Sequence, residues 1–277
     1  MELYINPSGG FAGDMFAAAL ISAGADEERV SAAMQTAAEK LGKASVKHVR
    51  TADGSSRMLI RVEHHHGHLS VHKAAHLLEH LMADLEVEPV YAAFGFRMLK
   101  ALAEAEKIAH ETHDFDMEHH HHHDHHHDHH HAHAHAHAHD HDHEHAEWMK
   151  DLPEAWLHEA QDILIDIVGA VCGLQALGLA PQAKLLAPVA YGGGSISFSH
   201  GSMKVPAPAT AVMIQNNRLP VTAGPIDIEL FTPTGAAALS ALGVGEVVQL
   251  PQGRVRSRGY SRGTKDLPIP PLEVVLL

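Results

Sequence analysis

Eighteen histidines lie between positions 119 and 145, interrupted only by aspartate, alanine and Glu144. Neutral imidazole is the commonest protein ligand for borderline divalent metals, and affinity rises from manganese through nickel to copper. His119, His120, His121, His122, His123, His125, His126, His127, His129, His130 and His131 form blocks around Asp124 and Asp128. His133, His135, His137, His139, His141, His143 and His145 then alternate with small or acidic residues. An extended chain would set this second group on one face, and a helical turn would pair His133 with His137. Either shape offers many overlapping sites, as suits a store of exchanging ions more than one rigid cage. Asp124, Asp128, Asp140 and Asp142 lower the cost of holding cations. A purification tag would be terminal and unbroken, and this stretch is neither; low-complexity drift is the other reading. The residue types of Glu118–His145 therefore point to a divalent transition metal without selecting one.

Smaller groupings could do chemistry elsewhere. His64, His65, His66 and His68 lead into His72, His76 and His80, and on a helix from Ser70 the last three share one face. They make either an ordered metal site or a solvated polar face. Ser8-Gly9-Gly10-Phe11-Ala12-Gly13-Asp14-Met15 puts glycine-rich backbone before a helix. There Gly10 and Gly13 could cradle an anion, with Asp14 as a cap or a metal ligand. His158 and Glu159 are followed by Asp162 and Asp166, which share a helix face at i, i+4. That set could bind a metal or move protons; alternatively Asp162 only starts its helix. Arg254, Arg256 and Arg258 alternate, so a strand would present them together, with Arg262 and Lys265 following. Arginine suits phosphate or carboxylate, and a charged edge strand is the other reading.

These residues need elements to hold them. The pattern predicts a strand at Leu3–Ile5, a helix from Met15 to Ala23 closed by Gly24, and a helix capped by Asp26. Strands at Val46–Thr51 and Met58–Glu63 form a hairpin about Asp53-Gly54. Helices follow at Ser70–Leu85 and Pro89–His110. Composition then changes abruptly, and residues 113–147 are expected to be a disordered insertion. Beyond Trp148 come a helix at Asp162–Leu177 and strands at Lys184–Ala190, Ser195–Phe198 and Ser202–Val205. A short helix after Pro208 and one opened by Thr232-Pro233-Thr234-Gly235 follow. Strands near Val247, at Arg254–Tyr260 and near Val274 complete the set. The alternation predicts an α/β or α+β fold: an N-terminal portion 1–112, the insertion 113–147, and a C-terminal portion 148–277 packed on the first.

The whole chain sets bounds on function. It has 277 residues and a formal net charge of −14 with histidine neutral. The acidic balance argues against nucleic-acid binding. No apolar run approaches the ~20 residues that span a bilayer, and no signal-like start is present, so the protein is expected to be soluble and cytoplasmic. Cys172 is the single cysteine, which excludes an internal disulfide and a thiolate cage; its apolar helix predicts a buried, inert thiol.

Taken as a set, the motifs resemble the nickel-insertion proteins of the nickel-pincer cofactor, the LarC family. Ser8–Met15 is similar to that family's SGxxGDM opening, and His64–His68 to its histidine cluster before a helix. His158-Glu159 with Asp162–Gly169 is similar to its HE…DSIVDIVG segment, here two residues shorter. Gly192–Gly194, His200-Gly201, Pro206–Thr210, Thr232–Ala236 and Gly259–Asp266 follow in order. The resemblance implies insertion of Ni(II) into pyridinium-3,5-bisthiocarboxylic acid mononucleotide, a lyase-type chelation that makes the cofactor of lactate racemase-type enzymes. It implies CTP with a divalent cation, a longer chain whose C-terminal region binds CTP, and a racemase-type acceptor. This chain would then be an enzyme or a nickel-loading subunit, as a monomer or an oligomer; a non-catalytic nickel chaperone or a zinc store is the alternative. Removal of a ring proton requires a base, for which Asp14, His158, Glu159 and Asp162 are placed by motif, and the arginine stripe would take the phosphate.

Overall fold

A computed structural model describes residues 1–63, 68–112, 147–158, 162–198 and 201–277. The first part holds β1 (Leu3–Asn6), α1 (Gly13–Ser22), α2 (Glu27–Glu39), β2 (Lys43–Arg50), β3 (Ser56–Glu63), β4 (His68–Ser70), α3 (Val71–Asp84) and α4 (Pro89–Thr112). The second holds β5 (Trp156–His158), α5 (Ile163–Leu177), β6 (Lys184–Leu185), β7 (Val189–Ala190), β8 (Ser195–Phe198) and β9 (Gly201–Lys204). Then come α6 (Pro208–Asn217), β10 (Val221–Thr222), α7 (Pro233–Ala241), β11 (Ser257–Ser261) and β12 (Leu272–Leu276). The fold is mixed α/β.

One six-stranded sheet, in the order β2-β3-β11-β12-β1-β6, draws strands from both ends of the chain. β12 runs antiparallel to both neighbours, β1 and β11, while β1–β6 and β3–β11 are parallel. The β2–β3 hairpin is in register from Lys43↔Glu63 to Arg50↔Ser56. α1 lies on β3, β11 and β12, and α2 on β2. α5 packs over α1 and α2, and α4 then packs on α5, α6 and α7.

α5 is therefore the centre of the molecule. Every residue from Ile163 to Leu174 is buried. A helix apolar all round belongs inside, and each fully buried Leu, Ile or Val contributes about 1.5–3 kcal/mol. Gly169 permits the close crossing: a Cβ there would lie 2.8 Å from the Ala17 Cβ of α1. Asp26 caps α2 through the Arg29 amide, Ser70 caps α3 through that of Lys73, and Thr232 caps α7 through that of Gly235. On α3, Ala74, Leu78 and Leu81 are buried as the periodicity predicts, while Leu77, expected with them, is half-buried. Trp148 stacks on Phe96 of α4 with centroids 4.3 Å apart, fixing the chain where it follows the insertion.

Several elements differ from expectation. Lys184–Ala190 is two short strands in different sheets, because Pro188 between them has no N–H to continue a ladder. Val247 makes only an isolated bridge with Leu185. The Arg254–Tyr260 strand begins at Ser257, so Arg254 and Arg256 precede it and the three arginines share no strand face. The β4–β5 ladder, which pairs His68 with His158, Leu69 with Leu157 and Ser70 with Trp156, was not foreseen. Three-residue strands carry too little alternation to read. No helix among the described residues is long and apolar enough to cross a membrane.

Candidate functional site

Four helices direct their first turns at one cavity of about 480 Å³. Ala12, Asp14 and Met15 come from the start of α1, and Asp162, Ile163 and Asp166 from that of α5. Ala207, Pro208 and Ala209 come from α6, and Thr232, Pro233 and Thr234 from α7. Helix N-termini carry partial positive charge, which favours anions in the cavity and ionised side chains at its wall.

The wall is nonetheless acidic. Asp14 is half-buried yet closely surrounded by protein, and its Oδ1 accepts the Met15 amide at 2.7 Å. Burial, then the charge of Asp162, pushes its pKa up to about 6, against the pull of the Met15 amide and, last, of Arg57. Asp166 is only 4% exposed. Its Oδ2 accepts the Thr234 hydroxyl at 2.6 Å, while its Oδ1 is buried without a hydrogen-bond partner. Burial, then the charges of Asp14 and Asp162, holds this carboxyl well above its ordinary range, with the Thr234 bond and then the Asp14 backbone amide opposing. Gly13 makes the arrangement fit, since a Cβ there would lie 2.5 Å from Asp166 Oδ2. Asp162 occupies the N-cap position of α5 but makes no side-chain capping bond; it is exposed on the cavity wall.

Three further wall residues escaped the sequence reading. Glu106 and His110 lie one turn apart near the end of α4, just before the histidine-rich insertion. Their i, i+4 spacing was a legible signal, overshadowed by the histidines beyond it. Glu229 lies outside regular structure, carried to the cavity by a bridge to Gly192. No local pattern marks it.

The remaining candidates separate. Arg262 and Lys265 line the cavity. The Arg262 guanidinium is engaged, with Nε 2.6 Å from Asp53 Oδ2 and Nη1 2.8 Å from the Ile269 carbonyl, and so clamps the loop after β11 to the hairpin. Arg254 is exposed, Arg256 reaches Met1 Sδ at 3.9 Å, and Arg258 pairs with Glu273; none of the three borders the cavity. Gly10, with φ of 103°, packs against Leu230, while its neighbour Gly9 lines the cavity. His72 is exposed and His76 half-buried on α3, both outside the cavity lining. His68 and His158 are cross-strand partners. His64, His65, His66, Glu159 and the tract from His119 to His145 lie outside the described residues. Among the described residues no three His, Cys, Asp or Glu side chains are placed to hold one ion. Cys172 is buried, and burial pushes its thiol up to about 11, so it stays protonated.

The arrangement can attract cations, hold a proton near neutral pH and release it. Comparison with known proteins gives this chemistry a context. The chain is 30% identical over 279 residues to the pyridinium-3,5-bisthiocarboxylic acid mononucleotide nickel insertion protein of Thermotoga sp. (strain RQ2), covering 97% of this chain and 59% of that relative. It is 40% identical over 124 residues to the protein of that name from Desulfitobacterium hafniense (strain DSM 10664 / DCB-2), covering 44% of this chain and 30% of the relative. A putative nickel insertion protein of Geotalea daltonii is 44% identical over 107 residues, or 39% of this chain and 26% of the relative. The chain thus spans less than two thirds of the length of these relatives. No solved structure matches. The family described as nickel insertion protein matches residues 3–129 and 130–276, nearly the whole sequence, and the chain belongs to that family.

Proposed function

We propose that the cavity is the chamber in which Ni(II) is inserted into pyridinium-3,5-bisthiocarboxylic acid mononucleotide. The observation that carries this reading is the acidic cavity itself, in a chain of the nickel insertion family. Its volume suits a small organic ligand. The substrate brings a cationic ring, two sulfur donors and a phosphate. The carboxylates of Asp14 and Asp162 favour the cationic ring. The starts of α6 and α7, which have no acidic residue in their first turns, and Lys265 favour the phosphate.

The two thiocarboxylate sulfurs hold nickel, a good match of donor to ion. The protein then has to orient the ring and accept its proton. Asp14, with a pKa of about 6, is suited to that transfer near neutral pH. Nickel reaches the chamber from the histidine tract, which follows α4 just beyond Glu106 and His110. CTP with its divalent cation, a C-terminal family component and a racemase-type acceptor complete the scheme. The second reading, a nickel chaperone or store without insertion activity, is favoured by the eighteen histidines of the tract.

The test is nickel transfer to the purified mononucleotide, followed by metal analysis of the nucleotide, with and without CTP. CTP-dependent gain of nickel with this chain alone identifies an enzyme. Gain only after adding a separate C-terminal component identifies a loading subunit. No gain under either condition, with nickel still bound to the chain, leaves the chaperone.

A further inference from the structure

We propose that Thr234 is the positioning residue of this site: its hydroxyl engages one oxygen of the Asp166 carboxyl and leaves the other, Oδ1, to take up the proton released during nickel insertion. This rests on the reading of the cavity as the insertion chamber.

Three contacts carry the argument. Thr234 Oγ1 lies 2.6 Å from Asp166 Oδ2. The same Oγ1 accepts the Gly13 amide at 3.3 Å and lies 3.2 Å from Thr232 Oγ1. A threonine hydroxyl has one proton to give. With that proton directed at Asp166, the Thr232 hydroxyl must be the donor to Thr234. Donation therefore runs one way, from Thr232 through Thr234 to Asp166. Oδ2 is fixed as an acceptor, and a proton on this carboxyl must sit on Oδ1.

Oδ1 is buried and has no hydrogen-bond partner. A buried oxygen left unsatisfied in an otherwise apolar helix is costly, which calls for a use. Gly13 restrains the carboxyl from the other side, where even a methyl group would meet Oδ2. The charged groups acting on Asp166 are Asp14 from α1 and Asp162 at the cap of its own helix, with Glu106, His110, Glu229, Arg262 and Lys265 around the same cavity. Asp14 is the more exposed of the pair, so it meets the ring first and Asp166 stands behind it.

The step balances without any redox change. The ring C–H bond breaks, and its electron pair becomes the nickel–carbon bond. The proton passes to Asp14 and on to Oδ1 of Asp166, which the bound cationic substrate has ionised, and nickel stays divalent. Thr232-Pro233-Thr234-Gly235 thereby acquires a role beyond starting α7.

The experiment compares the full chain with Thr234→Val and Thr234→Ser. One readout is the 13C signal of the Asp166 carboxyl against pH; the other is kcat and KM for the mononucleotide in nickel transfer. In Thr234→Val the Asp166 midpoint is expected at higher pH, with kcat lower by about 10- to 100-fold and KM unchanged. Thr234→Ser, which keeps the hydroxyl, restores both. A wild-type Asp166 titration and kcat in Thr234→Val overturn the proposal, as does failure of serine to rescue. Should valine prevent folding, Thr234→Ala is read in the same way. A wild-type chain that transfers no nickel, alone or with a separate C-terminal component, defeats the insertion reading, while the Asp166 titration still decides whether Thr234 positions that carboxyl.

Discussion

A carboxyl such as Asp14, raised from 3.8 to about 6, costs more to ionise in the folded chain than in the unfolded one. The folded state binds the proton more tightly, so stability falls as pH rises from about 4 to about 6 and is level above that. Asp14→Asn removes the penalty. At pH 7 the metal-free variant should be more stable than wild type by on the order of 2 kcal/mol, from about 1.4 kcal/mol per tenfold change in proton affinity, discounted for partial exposure. At pH 4 the two should coincide. Urea unfolding at both pH values decides this, and a variant less stable at pH 7 would refute the electrostatic account. Asp14, Asp162 and Asp166 were legible because each caps, or lies in the first turn of, a helix that the sequence announces. Thr234 was legible as part of a helix start and not as a partner of Asp166, since the two are 68 residues apart. Glu229 was not legible at all, being placed only by tertiary contacts.

Helix boundaries were read well because caps and apolar periodicity are local. Strands of two or three residues were not, because their pairing is decided by distant chain. The arginine stripe shows the difference: alternation implied a shared strand face, yet β11 starts only at Ser257. The crossing of α5 on α1 and α2 offers a test of packing. A Cβ on Gly169 would lie 2.8 Å from both the Ala17 Cβ and the Met34 Sδ. The methionine can bend away, but Ala17 is fixed by a buried helix. Gly169→Val is therefore expected to lower stability by about 1–3 kcal/mol through overpacking, visible as a lower urea midpoint with unchanged slope. An unchanged midpoint would mean that the two helices slide apart freely.

At the scale of the molecule, the histidine tract and the rest of the chain are expected to separate by function. Deleting Glu118–His145 should reduce the nickel bound per chain several-fold in equilibrium dialysis while leaving the circular dichroism and thermal midpoint nearly unchanged. A deletion variant that unfolds, or that binds as much nickel, would contradict the feeder role. The sheet order carries a different consequence. β12, residues 272–276, lies between β1 and β11 near the middle of the sheet. During synthesis the first strand cannot gain this neighbour until almost all 277 residues have left the ribosome. Such non-local pairing is slow, and open strand edges invite aggregation. The eighteen histidines emerge well before the sheet can close, so on the proposed reading metal ions would meet the nascent chain before the cavity has formed.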